Sequence, residues 1–343
     1  MKKIIAFDLE GPLSPMDHAF DCMALIEEGD KIFSVISRYD DLLALEGKEG
    51  YEPGDTLSLI IPFLLHHNLK EEDLSRVSAE AGLVEGAREL IQELKEEGWL
   101  VHIISTSYRQ HAHSVAERLG VPVKEGEHQM VFCTELLLDK YYSKLRIEDF
   151  SLMEKVEKYI LNDLYIDDLD SGEKDNEIKE YLDHFFWKEL QGTGLGKIFS
   201  EVKVMGGRRK VRSVEMILQR NQAYLENIAV VGDSITDFQM LKAVEAGGGL
   251  AVVFNGNIYA LSYGTCSLAT TDMRDLRILL DLWIKGDRER VRQEIIKKDN
   301  ASVSEEGPYY HWLVGKDISE IEDIVKAHKK VRNIVRGRAA KLG

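Results

Sequence analysis

Apolar positions along the chain alternate between short unbroken runs and stretches where they recur every three or four residues. Ile4-Ile5-Ala6-Phe7 is such a run; it stops at Asp8, and Gly11-Pro12 follows. That pattern predicts a strand buried on both faces that meets a turn. From Asp17 to about Gly98 the spacing is helical, with Leu43, Leu57, Ile60, Leu64, Leu90, Ile91 and Leu94 on recurring faces. Leu100 to Ile104 reads as a second strand ending in Ser105-Thr106-Ser107, and residues 108–119 as a helix stopped by Gly120. A third strand is expected over Gln129 to Cys133. After it, residues 148–186 turn charged and helical, with eight carboxylates between Asp163 and Glu180. Val202 to Met205 is expected to return to the sheet, and Val211, Val214, Leu218 and Leu225 mark a helix face. Ile228 to Val231 is the next strand, ending at Gly232-Asp233. A helix to Ala246, the stop Gly247-Gly248-Gly249 and a strand over Leu250 to Phe254 complete the series. From Gly286 onward the chain reads as charged helix, and no internal repeat is present. Repeated strand-helix units predict an α/β fold, a doubly wound parallel sheet.

Composition narrows the classes. Of 343 residues, 44 are Lys or Arg and 60 are Asp or Glu, a formal charge of −16, with 44 % apolar residues. A core of domain size is affordable at that composition. A chain so acidic, without a basic stripe, repels phosphate backbones, so nucleic-acid binding is not expected. The longest apolar run, Leu57 to Leu65, is nine residues containing Ser58 and Pro62, whereas a spanning helix needs about 20. No membrane span is expected. Cys22, Cys133 and Cys266 lie far apart with no CxxC pair, which suggests neither a disulfide framework nor structural zinc, and a reducing compartment. Only four apolar residues follow Met1-Lys2-Lys3 before Asp8, too few for a signal-peptide core. The expected location is cytoplasmic.

In an open parallel sheet, ligands bind at the carboxyl ends of the strands, so the polar residues that end each apolar run matter most. Asp8 and Glu10 end the first strand, Ser105 and Thr106 the second, and Asp233 with Asp237 a later one; Lys210 precedes Asp233 by 233 − 210 = 23 positions. Asp8-Leu-Glu10-Gly, Ser105, Lys210 and Gly232-Asp233-Ser-Ile-Thr-Asp237, in this order, resemble the haloacid dehalogenase superfamily, whose members carry DxDx[TV], a strand-end Ser or Thr, a Lys and GDxxxD. The resemblance covers residues 1–15, 84–135 and 200–275, about half the chain. Its most specific element is Gly232-Asp233-x-x-x-Asp237.

That resemblance implies a Mg²⁺-dependent phosphomonoester hydrolase. Phosphoryl transfer needs an in-line nucleophile, a divalent cation and fixed positive charge. Asp8 would attack phosphorus to give an aspartyl phosphate. Mg²⁺ would be held by Asp8, Asp233 and the backbone carbonyl of Glu10, with Asp237 orienting the shell. By the same resemblance Lys210 holds the phosphoryl group beside Asp8, and Ser105 donates a hydroxyl to it. Thr106 and Arg109 join the expected substrate-binding set. Most family phosphatases have Asp, not Glu, two residues after the nucleophile, as acid and base. The extra methylene shifts the reach of Glu10 by about one bond, and a misplacement near 1 Å can cost on the order of 10²-fold. Asp-Leu-Glu-Gly is, however, similar to a phosphoserine-phosphatase-like branch that includes a bifunctional phosphoserine phosphatase and homoserine phosphotransferase, where Glu is functional. The expected substrate is therefore a small phosphorylated metabolite, phosphoserine first. The alternatives are a phosphotransferase to a small alcohol and a non-catalytic regulatory subunit of the same fold.

The expected organisation is a core domain of residues 1–15, 84–134 and 204–285, a helical cap over 16–83 of the C1 type that the resemblance implies, a second charged insertion over 135–203, and a helical extension over 286–343. Arg109, Arg208, Arg209 and Arg212 are candidates to hold a second anionic group of the substrate. His18 reads as a packed or surface histidine. Gly192-x-Gly194-x-Gly196-Lys197 is not a Walker loop, because Gln191 and Ile198 stand where Gly and Ser or Thr are needed. Asp168-x-Asp170-Ser-Gly172 likewise fails the calcium-loop pattern. His111 and His113 point to different helix faces, and neither that pair nor His66 with His67 is expected to share a metal. The basic tail, Lys326, Lys329, Lys330, Arg332, Arg336, Arg338 and Lys341, is read as complementing a helix C-terminus, with a homodimer or protein partner on the C-terminal helices as the alternative.

Overall fold

A computed structural model describes residues 2–298 and 307–337. Seven strands form one sheet: β1 (Ile4–Phe7), β2 (Leu100–Tyr108), β3 (Val131–Thr134), β4 (Ile228–Gly232), β5 (Leu250–Phe254), β6 (Cys266–Ala269) and β7 (Tyr309–Trp312), in the order β3-β2-β1-β4-β5-β6-β7. Every pairing is parallel except β7 against β6. The chain winds outward from β1 through β2 to β3, then returns to the other side of β1 for β4. The strand order thus reverses at β1, and the crevice at its carboxyl end is the expected ligand position.

Alternation along the strands explains the layers. Ile5, Phe7, Val101, Ile103 and Val231 face helices Ala87–Glu96, Arg109–Arg118 and Leu276–Lys298. Ile4, Ala6, Ile104 and Val230 face helices Arg208–Arg220, Phe238–Ala246 and Ile318–Arg336. Both faces are covered, which is why the strands read as unbroken apolar runs instead of alternating ones.

Three local expectations are corrected. Val202 to Met205 is no strand: Val202 and Val204 are buried in the helical cap instead. The extension after Gly286 is not purely helical, since Tyr309–Trp312 forms edge strand β7, as its aromatic residues favour. The strand β6, Cys266–Ala269, has no counterpart in the sequence reading. Arg338 and Lys341 of the basic tail lie outside the described residues.

Helices from both insertions share one apolar core. Tyr39 and Phe63 from the first pack with Met153, Phe185 and Phe186 from the second, together with Val202 and Val204. Polar clasps reinforce this: Arg38 donates from Nε and Nη2 to Asp175 at 2.7 and 2.6 Å, and Asp183 accepts from Tyr39 Oη at 2.7 Å and Lys48 Nζ at 2.9 Å. The two stretches therefore make a single cap above the sheet edge. No helix among the described residues is long and apolar enough to cross a membrane.

Candidate active site

Parallel register aligns the strand ends. Phe7 pairs with Ile103 on one side and Val231 on the other, and the Asp8 amide donates to the Val231 carbonyl at 2.8 Å. Asp8 is thereby level with Ile104 and Gly232, one residue short of Ser105 and Asp233. The loop after β4 folds back so that the Asp237 carboxylate accepts from the amides of Asp233 and Ser234 at 3.0 and 3.3 Å. Gly232 is required there, because a Cβ would stand 2.6 Å from the Asp237 side chain. Lys210, one turn into the helix Arg208–Arg220, reaches Asp8 at 2.8 Å and Asp237 at 2.7 Å with its side chain fully buried. Oxygens of Asp8, Asp233 and Asp237 all lie within 4.8 Å of one another.

Burial first, then the charge of Asp237, pushes the Asp8 carboxyl well above its ordinary range, against the pull of Lys210. Burial alone would lower the Lys210 ammonium, but Asp237 and Asp8 overcome it and hold it charged. Lys210 is shared by two carboxylates, and oxygens of Asp8, Asp233 and Asp237 converge beside it. The donor set, all carboxylate oxygen, suits a hard divalent cation. Gly11, at φ +95, keeps the space beside Asp233 open: a Cβ there would stand 2.3 Å from Asp233 Oδ2. These residues fit a Mg²⁺ site.

Glu10 faces the same cavity, of about 100 Å³ between the sheet edge and the cap. Ser107 Oγ donates to its carboxylate, as does the His18 amide at 3.4 Å. Burial, then the nearby Asp17 carboxylate, pushes its carboxyl up to about 8. Ser105 is buried and donates to Ser107 Oγ at 2.9 Å, so it is two hydrogen bonds from Glu10. Thr106 lines the cavity with its hydroxyl buried and without a hydrogen-bond partner.

The expected arginines are not brought to the cavity. Arg109 is 37 % exposed and paired with Glu135 at 3.5 Å. Arg208 and Arg209 hold Glu52 and Asp55 of the cap at 2.5 and 2.8 Å, and Arg212 is exposed. Arg208 and Arg209 start the helix that carries Lys210, but their side chains turn to the cap loop instead of the cavity. His18 is a packed histidine, stacked on buried His111 with ring centroids 4.7 Å apart. Where the chain leaves the helix after His66, the Nε2 atoms of His66 and His67 both turn to Glu157, at 3.8 and 3.0 Å.

Several cavity residues escaped the sequence reading, among them Asp17, Asp40 and two arginines. Arg332 and Arg336, in the last turns of helix Ile318–Arg336, both contact Asp233 Oδ2, Arg336 Nη1 at 3.2 Å. Arg332 Nη1 also donates to the Asn255 carbonyl at 3.3 Å, and Arg336 donates to the carbonyls of Pro15 and Met16, each at 3.3 Å. The basic tail is thus docked on the chain's own core at these positions instead of serving only the helix terminus. A signal was present: 321, 324, 328, 332 and 336 continue one helical stripe, and buried Ile321, Ile324 and His328 begin it.

Comparison with known proteins agrees with this geometry. The family model of haloacid dehalogenase-like hydrolases matches residues 63–169, a stretch that includes Ser105. No curated protein matches the chain. Among solved structures, gene product AF1437 from Archaeoglobus fulgidus is 27 % identical with TM-score 0.81, over 100 % of this chain and 99 % of that one. A phosphoserine phosphatase in apo form is 16 % identical with TM-score 0.50, over 81 % of this chain and 98 % of that one, and a substrate-bound phosphoserine phosphatase is 18 % identical at the same score and coverage. The latter two share the fold. Residues 63–169 are therefore similar to the haloacid dehalogenase-like hydrolases, and they are set in a doubly wound sheet of the fold these structures share.

Proposed function

We propose that the chain is a Mg²⁺-dependent phosphomonoester hydrolase that works through an aspartyl phosphate on Asp8. The observation that carries this reading is the convergence of Asp8, Asp233, Asp237 and Lys210 at the carboxyl ends of the strands, although more than 200 positions separate Asp8 from the other three. Mg²⁺ would be held by the carboxylates of Asp8 and Asp233 and the backbone carbonyl of Glu10, with Asp237 behind them, and would supply positive charge to the phosphoryl oxygens.

The protein groups divide the remaining work. A carboxylate oxygen of Asp8 forms a bond to phosphorus as the ester P–O bond breaks, and the departing oxygen takes the Glu10 proton. Glu10 is equipped for this, since burial keeps its carboxyl protonated at neutral pH. Glu10, now ionised, takes a proton from water as that water attacks phosphorus. Inorganic phosphate leaves and the Asp8 carboxylate is restored. Lys210 accompanies the charge throughout, fixed between Asp8 and Asp237. Thr106, which lines the cavity, would donate its hydroxyl to the phosphoryl group, while Ser105, which donates to Ser107 in the structure, would join it only by turning its hydroxyl.

Phosphoserine is the first ester to test. The cavity wall carries both guanidinium groups, Arg332 and Arg336, and carboxylates, Asp17 and Asp40, as a small zwitterion requires. The fold shared with phosphoserine phosphatases supports the same choice. The test is phosphate release from a panel of small phosphomonoesters with Mg²⁺, run beside Asp8→Asn. Release by the native chain and none by the variant is expected; equal release from both refutes the assignment. Added small alcohols in the same panel separate hydrolysis from phosphoryl transfer.

A further inference from the structure

We propose that Arg332 and Arg336 are internal counter-cations of Asp233, which a divalent cation displaces and a phosphate ester then engages, so that cation and ester bind cooperatively. The proposal rests on the site reading above and adds a role for the C-terminal helix.

Both guanidinium groups sit on one carboxylate oxygen, Asp233 Oδ2, with the Asp17 carboxylate of the same cavity wall acting on both. Their spacing of four residues stacks them on one helix face, pointing at the sheet edge. Neither is a surface charge that happens to lie near: their side chains are 5 % and 4 % exposed. The helix is anchored by Ile321 and Ile324 in the core beneath the sheet, which fixes where its last turns arrive.

Among the described ion pairs, three carboxylates face three cations. Asp8, Asp233 and Asp237 give −3; Lys210, Arg332 and Arg336 give +3. A divalent cation alone would bring +2 into this buried cluster, and a phosphate ester dianion alone −2. Each is penalised singly, because an uncompensated buried charge is costly. Together they sum to zero. The cation needs the Asp233 oxygen that the guanidinium groups hold, and those groups then need another anion. The ester supplies it in the same cavity, whose wall includes Asp8, Arg332 and Arg336. Planar guanidinium donors match phosphoryl or carboxylate oxygens with paired hydrogen bonds.

Titration calorimetry of the full chain with MgCl₂, with and without saturating inorganic phosphate, tests this. Phosphate should tighten Mg²⁺ binding to the native chain by about tenfold or more, within the usual range of coupling between sites. In Arg332→Met with Arg336→Met, Mg²⁺ alone should bind about tenfold more tightly, because its competitors are gone, and the phosphate effect should fall below about threefold. Arg332→Lys with Arg336→Lys, which keeps the charge, should retain most of the coupling and serves if the methionine variant folds poorly. Unchanged Mg²⁺ affinity and unchanged phosphate coupling in the folded methionine variant would overturn the proposal while leaving the hydrolase reading intact. Absence of Mg²⁺ binding to the native chain, together with no phosphate release in the ester panel, would overturn both.

Discussion

Lys210→Met is the most demanding test of the electrostatic account. Methionine keeps an unbranched side chain of similar length, so the apolar stem stays packed and the cavity contribution is small. What disappears is the single ammonium between Asp8, at 2.8 Å, and Asp237, at 2.7 Å, with all three side chains at most 4 % exposed. Removing one partner of a buried pair costs about 3–5 kcal/mol. With a urea m-value of about 3 kcal/mol/M, the unfolding midpoint at pH 7 should fall by about 1–1.7 M. The loss should shrink on acidification. Burial and Asp237 already raise the Asp8 carboxyl, and without Lys210 it rises further. A carboxyl raised in the folded state binds its proton more tightly there than in the unfolded chain, so stability recovers as pH falls. Mg²⁺ should also rescue the variant, since saturation at 100 times the dissociation constant adds about 2.7 kcal/mol. Urea unfolding followed by circular dichroism at pH 7 and pH 5, with and without Mg²⁺, reads all three effects. A midpoint unchanged at pH 7 without the ion would refute the claim that this lysine offsets two buried charges.

Two further outcomes follow from the surroundings of the site. Burial raises the Asp40 carboxyl in the cap to about 7, with Tyr51 donating to it in opposition; the stability tied to its proton is therefore complete below about pH 4 and lost as pH rises through 7. Asp40→Asn should raise the melting temperature at pH 8 and leave it nearly unchanged at pH 4, the difference amounting to at most a few kcal/mol because Asp40 is partly open to solvent; a larger gain at pH 4 than at pH 8 would contradict this. Arg109→Ala should change KM for the best ester by less than about twofold, since exposed ion pairs such as Arg109–Glu135 contribute little; steady-state kinetics showing a tenfold rise would place Arg109 on the substrate after all.

How far the sequence reveals the molecule depends on what kind of neighbour a residue needs. Asp8 and Asp233 are legible because each ends an unbroken apolar run, and such a run has few outcomes other than a buried parallel strand. Asp237 and Gly232 are legible as a pair, since one occupies the space the other leaves. Arg332 and Arg336 are not, because a basic helix end looks the same whether it meets solvent or a carboxylate; only the docking of Ile321 and Ile324 against the sheet decides it. The union of the two insertions into one cap was equally hidden, as periodicity reports that Tyr39 and Phe186 are buried but not against which partner. Arg208 and Arg209 misled for the opposite reason. They adjoin Lys210 in sequence, yet successive helix positions point about 100° apart, so neighbours of a site residue are poor candidates for the same site.

That misdirection has a structural purpose in the joint between cap and core. Gly206 and Gly207 let the cap loop approach closely: a Cβ on the first would stand 2.0 Å from the Pro53 carbonyl oxygen, and one on the second 2.3 Å from Glu52 Oε2. Arg208 and Arg209 then fasten Glu52 and Asp55, while the Gly207 amide donates to the Thr236 carbonyl at 3.1 Å, inside the loop that carries Asp233 and Asp237. Gly54 lies against the side chains of Thr106 and Thr236, so the same cap loop also touches two strand ends. One helix start therefore holds the cap, the acidic loop and, a residue later, Lys210. On the proposed mechanism, cap recognition and phosphoryl positioning are coupled through this joint, because the residues that fasten cap loop 52–55 and the lysine that holds Asp8 share one helix start; the arginines next to Lys210 serve the joint, and the two arginines of the cavity wall come from helix Ile318–Arg336.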